Sequence, residues 1–270
     1  MGRLERTFAN LKQRGEKSLI TYLMAGDPNL GETERLVLAL VKAGADIIEL
    51  GVPFSDPIAD GPIIQQASER SLRSGTSLVR VLSLIASLRR HTEVPIVMML
   101  YYNSIHAMGI EAFCARAKSS GVDGVIVPDL PPDEAQPLAD HAESVGLALI
   151  FLLAPTSTAR RRRFVASHSR GFIYYVSLTG ITGATLNDLS EVRRNVDKIK
   201  EISSLPVAVG FGVATPEEAA QVAKIADGVI VGSAIVKRIA SNEQSDNTLG
   251  SVTDFVHSLK SAMVAGSASL

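Results

Sequence analysis

The chain has 270 residues, of which 46% are apolar and 20% charged, and this composition excludes the disordered, collagen-like and coiled-coil classes. Its 27 basic and 28 acidic residues give a net charge of -1, which argues against binding to nucleic acid. The single cysteine, Cys114, excludes an intramolecular disulfide and a multi-cysteine zinc cluster, so we expect a cytoplasmic protein. The longest apolar run, 147–155, is too short to cross a bilayer, and we expect no membrane partner.

Apolar runs typical of buried strands alternate along the chain with segments of helical periodicity. The first segment, 2–14, has apolar residues at helical spacing and predicts an extra N-terminal helix. Runs bounded by Gly, Pro and Asp then predict eight strands, at 19–24, 45–50, 95–101, 122–127, 147–153, 172–176, 206–210 and 227–231. Helices are predicted at 30–43, 77–90, 109–120, 132–145, 158–168, 189–203, 215–225 and 252–264.

Three of these units share a short internal repeat, in which an Asp follows a helix end and precedes a β run. The repeat comprises 45–48, 122–127 and 226–231. Strands that are apolar on both faces are expected in a parallel sheet covered by helices, and eight such units close most naturally into a barrel. We therefore predict an α/β fold, a (β/α)8 TIM barrel in one domain over 1–270, with the helix over 2–14 closing the bottom of the barrel.

Glycine-rich segments follow the last two predicted strands. They are 210–212, with Gly212 at its end, and 232–236, which begins with Gly232 and Ser233. Glycines let backbone N–H groups approach an anion closely, and a helix beginning at Ser233 would direct its positive end to the same point. Either segment alone could simply relieve crowding where a strand turns into a helix, but the two together predict a phosphate site.

Two carboxylates lie at the end of the second predicted strand and in the loop that follows it. Glu49 is flanked by apolar residues and is expected to point into the barrel mouth, where desolvation raises the pKa of a carboxyl toward neutrality and suits an acid or base. Asp60 is placed to share proton transfer and charge stabilisation with Glu49. The alternatives are that Glu49 pairs with a buried cation and that Asp60 stabilises a turn.

Other residue types narrow the chemistry further. The predicted strands contain no lysine, which argues against a Schiff base, and the five histidines lack metal-ligand spacing, so we expect neither a cofactor nor a metal. Tyr22, Tyr101, Tyr174 and Phe211 lie near strand ends and could line a slot for a flat ring, although each alone is typical of an ordinary core. Long loops at 54–62 and 178–190 are expected to be mobile without ligand and to close over it.

One long segment carries a family resemblance. Residues 49–57, Glu-Leu-Gly-Val-Pro-Phe-Ser-Asp-Pro, followed by Ala-Asp-Gly-Pro at 59–62, resemble the signature of the tryptophan synthase alpha chain family. The similarity continues through 25–28, 127–131, 180–183, 210–212 and 232–236. It implies cleavage of indole-3-glycerol phosphate to indole and glyceraldehyde 3-phosphate in tryptophan biosynthesis. It also implies a beta chain partner in an α2β2 complex.

The resemblance also implies a role for each matching residue. Glu49 would be the acid and base, and Asp60 would accept a hydrogen bond from the indole N–H. The substrate would contact Tyr22, Leu100, Tyr101, Ile126, Leu152, Tyr174, Thr182 and Phe211. The phosphate would bind at Gly183, Gly212, Gly232 and Ser233. Tyr22 stands where the family commonly has Phe, and Ser104 where it frequently has Pro, so details of the ring pocket are expected to differ.

Two alternative functions remain open from the sequence. The first is another phosphate-binding barrel enzyme, such as a sugar-phosphate isomerase or epimerase. The second is an inactive barrel that only activates a beta-type partner. The presence of both Glu49 and Asp60 argues against the second.

Overall fold

The computed structural model describes residues 1–176, 189–210, 212–241 and 248–267. The strands are β1 (Ser18–Met24), β2 (Ile47–Gly51), β3 (Ile96–Met99), β4 (Gly124–Ile126), β5 (Ala148–Ile150), β6 (Leu152–Leu153), β7 (Ile173–Val176), β8 (Val207–Gly210) and β9 (Gly228–Val231). The helices are α1 (Arg3–Gln13), α2 (Leu30–Lys42), α3 (Pro62–Arg73), α4 (Leu78–Leu88), α5 (Tyr102–Met108), α6 (Ile110–Ser120), α7 (Gln136–Val145), α8 (Ala159–His168), α9 (Leu189–Lys200), α10 (Pro216–Ala223), α11 (Ser233–Ser241) and α12 (Thr248–Ser267).

All the strand pairs are parallel, and the sheet is nearly closed. The order is β5-β4-β3-β2-β1-β9-β8-β7-β6, so the two edges belong to consecutive pieces of the chain. These edges, β5 and β6, are the two halves of the predicted fifth strand, which is interrupted at Phe151. The structure therefore confirms the predicted TIM barrel, and the ninth strand arises from this interruption.

Side chains on each strand alternate between the barrel interior and the helical shell. On β2, Ile47 belongs to the interior cluster, whereas Ile48 and Leu50 pack in the larger cluster between sheet and helices. This alternation follows from the period of two along a strand. Glu49 therefore faces the interior, on the same side as Ile47.

Helix α1 closes the amino end of the barrel, as the sequence predicted. Leu4 and Phe8 belong to the interior cluster, and the Phe8 ring lies 5.8 Å from the ring of Phe172. Leu4 also approaches Gly124, where a Cβ would lie 3.2 Å from a Leu4 methyl group. The apolar face of α1 thus fills the end of the barrel opposite the candidate site.

The three repeats found in the sequence form the same contact at the amino end of the barrel. Each Asp donates its N–H to the carbonyl of a residue at the start of the neighbouring strand, and its carboxylate accepts the N–H of that same residue. The pairs are Asp46 with Leu19, Asp123 with Ile96, and Asp227 with Val207, with carboxylate distances of 2.7, 2.9 and 3.0 Å. A cation bonds each carboxylate as well: Lys260, Arg89 and Lys200 respectively.

Two helices were not predicted, and in both the sequence signal is weak. The buried face of α3 consists of the small residues Ala67, Ser68 and Ser71, so it lacks an apolar period. Helix α5 is short and buries only Ile105. The basic run at 160–163 lies in the first turns of α8, within the helix predicted over 158–168. No helix in the described ranges is both long and apolar enough to span a membrane.

Candidate active site

The Glu49 carboxyl group is buried at the carboxyl end of β2. Its side chain is 1% exposed, and neither carboxylate oxygen has a hydrogen-bond partner among the described residues. Burial, together with the nearby negative charge of Asp60, raises the pKa of Glu49 to about 8. The group therefore carries a proton at neutral pH and can act as an acid. A partner cation for Glu49, the alternative that the sequence left open, is not found in the part of the chain that the structure describes.

Asp60 lies in the loop between β2 and α3 and is held by Tyr101. The Tyr101 hydroxyl donates to Oδ2 of Asp60 at 3.2 Å and accepts the N–H of Ala59 at 2.9 Å. Burial raises the pKa of Asp60, and the hydrogen bond from Tyr101 opposes that rise. The ring of Phe54 stacks on the Tyr101 ring at a centroid distance of 5.1 Å. The loop is thus attached to the barrel beside the second carboxylate.

Tyr22 and Tyr174 face the same space as the two carboxylates. Burial raises the pKa of both hydroxyls, and the negative charges of Glu49 and Asp60 add to the rise. Tyr22 lies directly opposite Glu49 in the β1–β2 register. Gly51 is required beside it, because a Cβ at that position would lie only 2.1 Å from the Tyr22 hydroxyl oxygen.

The apolar residues predicted to contact the ring divide into two groups. Ile126 and Leu152 belong to, or pack against, the interior cluster. Leu100 does not: it packs in the outer cluster with the helices, because it lies one residue past the end of β3 and continues the outward face of Met98. Met99 packs against the interior instead. In the structure Met99, and not Leu100, therefore lies on the interior face, as strand alternation from the inward-facing Val97 indicates.

Part of the predicted phosphate site lies in the described residues. Gly212 has a φ of +66°, a left-handed conformation that favours glycine. Ser233 begins α11 directly after Gly232, and the first N–H groups of a helix have no intrahelical acceptor. These groups can bind an anion at the carboxyl end of the barrel. Thr182, Gly183 and Phe211 lie outside the described residues.

The site combines a protonated acid, a second carboxylate and aromatic walls with backbone donors. This set can protonate a ring carbon, stabilise positive charge on the ring and hold a phosphate group. Within the described ranges, no group of three or more His, Cys, Asp or Glu side chains is placed to hold a metal.

Comparisons with known proteins identify the family. The family model described as "Tryptophan synthase alpha chain" matches residues 8–264. The chain belongs to the tryptophan synthase alpha chain family. Membership in this family confirms the predictions of a lyase of tryptophan biosynthesis and of a TIM barrel.

Individual members of the tryptophan synthase alpha chain family are similar over nearly the whole chain. The tryptophan synthase alpha chain of Geotalea uraniireducens (strain Rf4) is 51% identical over 265 residues, covering 98% of this chain and 99% of that protein. That of Geobacter sulfurreducens is 54% identical over 237 residues, covering 88% and 90%. The crystal structure of tryptophan synthase subunit alpha from Legionella pneumophila str. Paris aligns with a TM-score of 0.92 at 40% identity, covering 97% and 98%.

Proposed function

We propose that the chain cleaves indole-3-glycerol phosphate to indole and glyceraldehyde 3-phosphate, with Glu49 as the acid and base and Asp60 as the stabiliser of charge. The observation that carries this proposal is the pair of carboxyl groups at one barrel mouth, one of them protonated at neutral pH with both oxygens free of protein partners in the described residues. Family membership supports the reaction class. Residues 1–270 are proposed to form one domain.

The first step is proton transfer from Glu49 to C3 of the indole ring. Indole is a poor leaving group as a carbanion, so the ring must first become an indolenine-like cation that can accept electrons from the breaking C–C bond. A carboxyl with a pKa of about 8 carries the required proton at physiological pH. After the transfer, Glu49 is a carboxylate in an apolar setting and is therefore a strong base.

The second step is cleavage, with Glu49 now acting as the base. The carboxylate accepts the proton of the hydroxyl group on the side-chain carbon next to C3. The electron pair of that O–H bond forms the aldehyde C=O, and the electron pair of the C–C bond returns to the ring. Indole and glyceraldehyde 3-phosphate leave, and Glu49 recovers its proton, so no cofactor is consumed.

Asp60 is proposed to accept a hydrogen bond from the ring N–H, where positive charge develops in the first step. Its Oδ2 accepts from Tyr101, which leaves lone pairs of the carboxylate for the ring N–H. A negative charge fixed at this point in a water-poor site stabilises the cation before and during cleavage. Acid–base catalysis contributes roughly 10²–10⁴-fold in rate.

The remaining predicted contacts complete the proposed substrate site. Tyr22, Tyr101, Tyr174, Ile126 and Leu152 would contact the indole ring, with Thr182 and Phe211 in addition. Gly212, Gly232, Ser233 and Gly183 would bind the phosphate through backbone N–H groups. The 54–62 and 178–190 loops would close over the bound ester. Equal protease cleavage of the 178–190 loop with and without glycerol phosphate would contradict this closure.

An indole-release assay tests the proposed function. The chain contains no Trp, so the fluorescence of newly formed indole can be followed against a quiet background. The expected result is indole release from indole-3-glycerol phosphate and no conversion of ribulose phosphate. Conversion of ribulose phosphate alone would support the isomerase or epimerase alternative, and no turnover of either would support the inactive barrel.

We also propose a beta chain partner in an α2β2 complex in the cytoplasm. The name "alpha chain" carried by the relatives supports a companion chain. Ile58, beside Asp60, exposes 84% of its surface next to a shallow cavity lined by Asp56 and Glu69, which suits a partner with apolar and basic groups. The single cysteine is buried and suits a reducing compartment.

Sedimentation of the chain with a beta-type chain from the same source tests the complex. A species with two copies of each chain is expected. Ile58→Asp should weaken this complex at least tenfold, whereas the control Val79→Asp, at another exposed apolar side chain, should not. Equal sedimentation of the two chains alone and mixed would contradict the proposal.

A further inference from the structure

Helix α3 is bonded to both ends of the loop that carries Asp60. Ser68 Oγ accepts the N–H of Phe54 at 2.9 Å and donates to the Phe54 carbonyl at 3.0 Å. The Gln65 side-chain amide donates to the carbonyl of Asp60 at 2.9 Å. Because one helix bonds the loop on both sides, any change in the orientation of α3 moves Asp60 with it.

The other end of α3 is bonded to the loop that follows β1. Arg70 donates from Nε and Nη2 to the two carboxylate oxygens of Asp27, at 2.7 and 2.8 Å. The Asp27 side chain is only 2% exposed. Ser71 Oγ donates to the Ala25 carbonyl at 2.5 Å, and Ser74 Oγ donates to the Gly26 carbonyl at 3.1 Å. Strand β1 is in turn paired with β2, which carries Glu49.

We infer that Arg70, paired with Asp27, is a positioning residue that sets the place of Asp60 relative to Glu49 through helix α3. This inference rests on the proposed function of the two carboxylates. Arg70 is paired with Asp27 and would act on Asp60 through helix α3, to which it belongs. It joins the paired strands β1 and β2, the second of which carries Glu49, to helix α3, which is bonded to Asp60.

The geometry of the helix makes this control sensitive. Arg70 lies about 12 Å along the axis from Pro62, the first residue of α3, at about 1.5 Å per residue. A rotation of about 5° at Arg70 therefore displaces the start of the helix, and Asp60 beside it, by about 1 Å. Misplacement of a catalytic group by about 1 Å can cost up to about 10² in rate.

The two-point contact of arginine is what fixes the orientation. A guanidinium bonded through two nitrogens to both carboxylate oxygens restricts the distance and the angle between the two elements. A lysine ammonium keeps the charge but makes no planar fork. Arg70→Lys therefore removes the angular restraint and retains the attraction.

Arg89 supplies a matched control at the opposite end of the barrel. Its Nη2 donates to Asp123 Oδ2 at 2.6 Å, and its Nε donates to the Gly121 carbonyl at 2.8 Å. The Arg89 side chain is 11% exposed, compared with 20% for Arg70, so it is at least as deeply buried. Arg89→Lys should lower the melting temperature at least as much as Arg70→Lys does.

The experiment measures kcat, KM and melting temperature for indole release by the wild-type chain, Arg70→Lys and Arg89→Lys. Arg70→Lys is expected to lower kcat at least tenfold and to change KM less than threefold. Arg89→Lys is expected to leave kcat per folded molecule within twofold. An unchanged kcat in Arg70→Lys, or an equal loss in Arg89→Lys, would overturn the inference while leaving the proposed function intact.

Gln65→Ala keeps the inference testable if Arg70→Lys fails to fold, because Gln65 is exposed and its loss threatens the fold least. It breaks the bond between α3 and Asp60 and is expected to lower kcat at least threefold with KM nearly unchanged. Wild-type kinetics in Gln65→Ala would overturn the inference that helix α3 positions Asp60. A wild-type chain that releases no indole would overturn the proposed function, and this inference with it.

Discussion

Buried carboxylates at the two ends of the barrel have opposite hydrogen-bonding environments. At the amino end, Asp123 accepts hydrogen bonds from the Ile96 N–H, from Arg89 and from Arg3. At the carboxyl end, Glu49 is still more deeply buried, and neither of its oxygens has a donor among the residues that the structure describes. The residue types are chemically similar, so the difference lies in their surroundings: donors around Asp123, and deeper burial beside Asp60 for Glu49.

This difference gives Asp123 a stabilising role and Glu49 a chemical one. A buried carboxylate surrounded by donors holds neighbouring strands together. One without donors keeps its proton, raises the free energy of the folded state when ionised, and is free to exchange that proton with a substrate. In a TIM barrel the amino end is where stabilising contacts collect and the carboxyl end is where active sites lie.

The largest effect is expected from Glu49→Gln. An amide cannot deliver or accept the proton, so indole release should fall by about 10²–10⁴-fold, or below detection. Affinity for glycerol phosphate, measured by calorimetry, should remain nearly unchanged, because the phosphate binds elsewhere. Substantial retained turnover would show that the bare carboxyl group is not the acid.

Asp123→Asn should have the opposite profile. The substitution leaves Arg89 buried beside a neutral amide, and the free energy of unfolding in denaturant titration should fall by about 3–5 kcal/mol. The kcat per folded molecule should stay within twofold of the wild type. Glu143→Gln, which breaks an exposed ion pair with Arg170, is the control and should change stability by no more than about 1 kcal/mol. A loss of kcat in Asp123→Asn would contradict the assignment of stability to the amino end of the barrel and of chemistry to the carboxyl end.

Glu49→Gln should also stabilise the protein relative to the wild type, by an amount that grows as pH rises. The pKa of Glu49 rises from 4.5 in the unfolded chain to about 8 in the folded one, so the folded state binds more protons between these values and the wild type loses stability across that window. The variant should gain about 2–4 kcal/mol over the wild type above pH 8 and little below pH 5. A gain independent of pH would contradict this account.

The smallest effect is expected from Tyr101→Phe. It removes the hydrogen bond that lowers the pKa of Asp60, so that pKa should rise further. Turnover should fall by about tenfold, and the decline of rate at acidic pH should begin at a higher pH than in the wild type. Tyr102→Phe, at the neighbouring half-buried residue, is the matched control. Identical pH profiles for the two variants would exclude a role for the Tyr101 hydroxyl.

The barrel was predictable because its signals are local and repeated. Apolar runs and helical periods recur along the chain, and Glu49 could be assigned to the interior from its place among Ile47, Ile48 and Leu50. The limits of the elements and the extra strand were not predictable, because the interruption at Phe151 depends on closure of the sheet. Helix α3 was missed because small and polar residues form its buried face.

The candidate site was predictable in its residue types but not in its contacts. The motif around Asp60 indicated a functional loop, whereas its bonds to Tyr101 and Gln65 join separate elements and exist only in the folded chain. Leu100 was assigned from the family resemblance, which did not take the alternation of the strand into account; that alternation places Met99 on the interior face. The roles of Thr182, Gly183 and Phe211, the expected absence of a cofactor or metal, and the single domain over 1–270 stay predictions.

The N-terminal helix has a consequence for how the protein is made. Leu4 and Phe8 are synthesised well before Phe172, Ala208 and Ile230, which belong to the surface that they cover. Helix α1 must therefore wait with its apolar face unburied until most of the barrel has formed. Helix α1 is thus translated before the strands that it covers, but it is among the last elements to reach its final place.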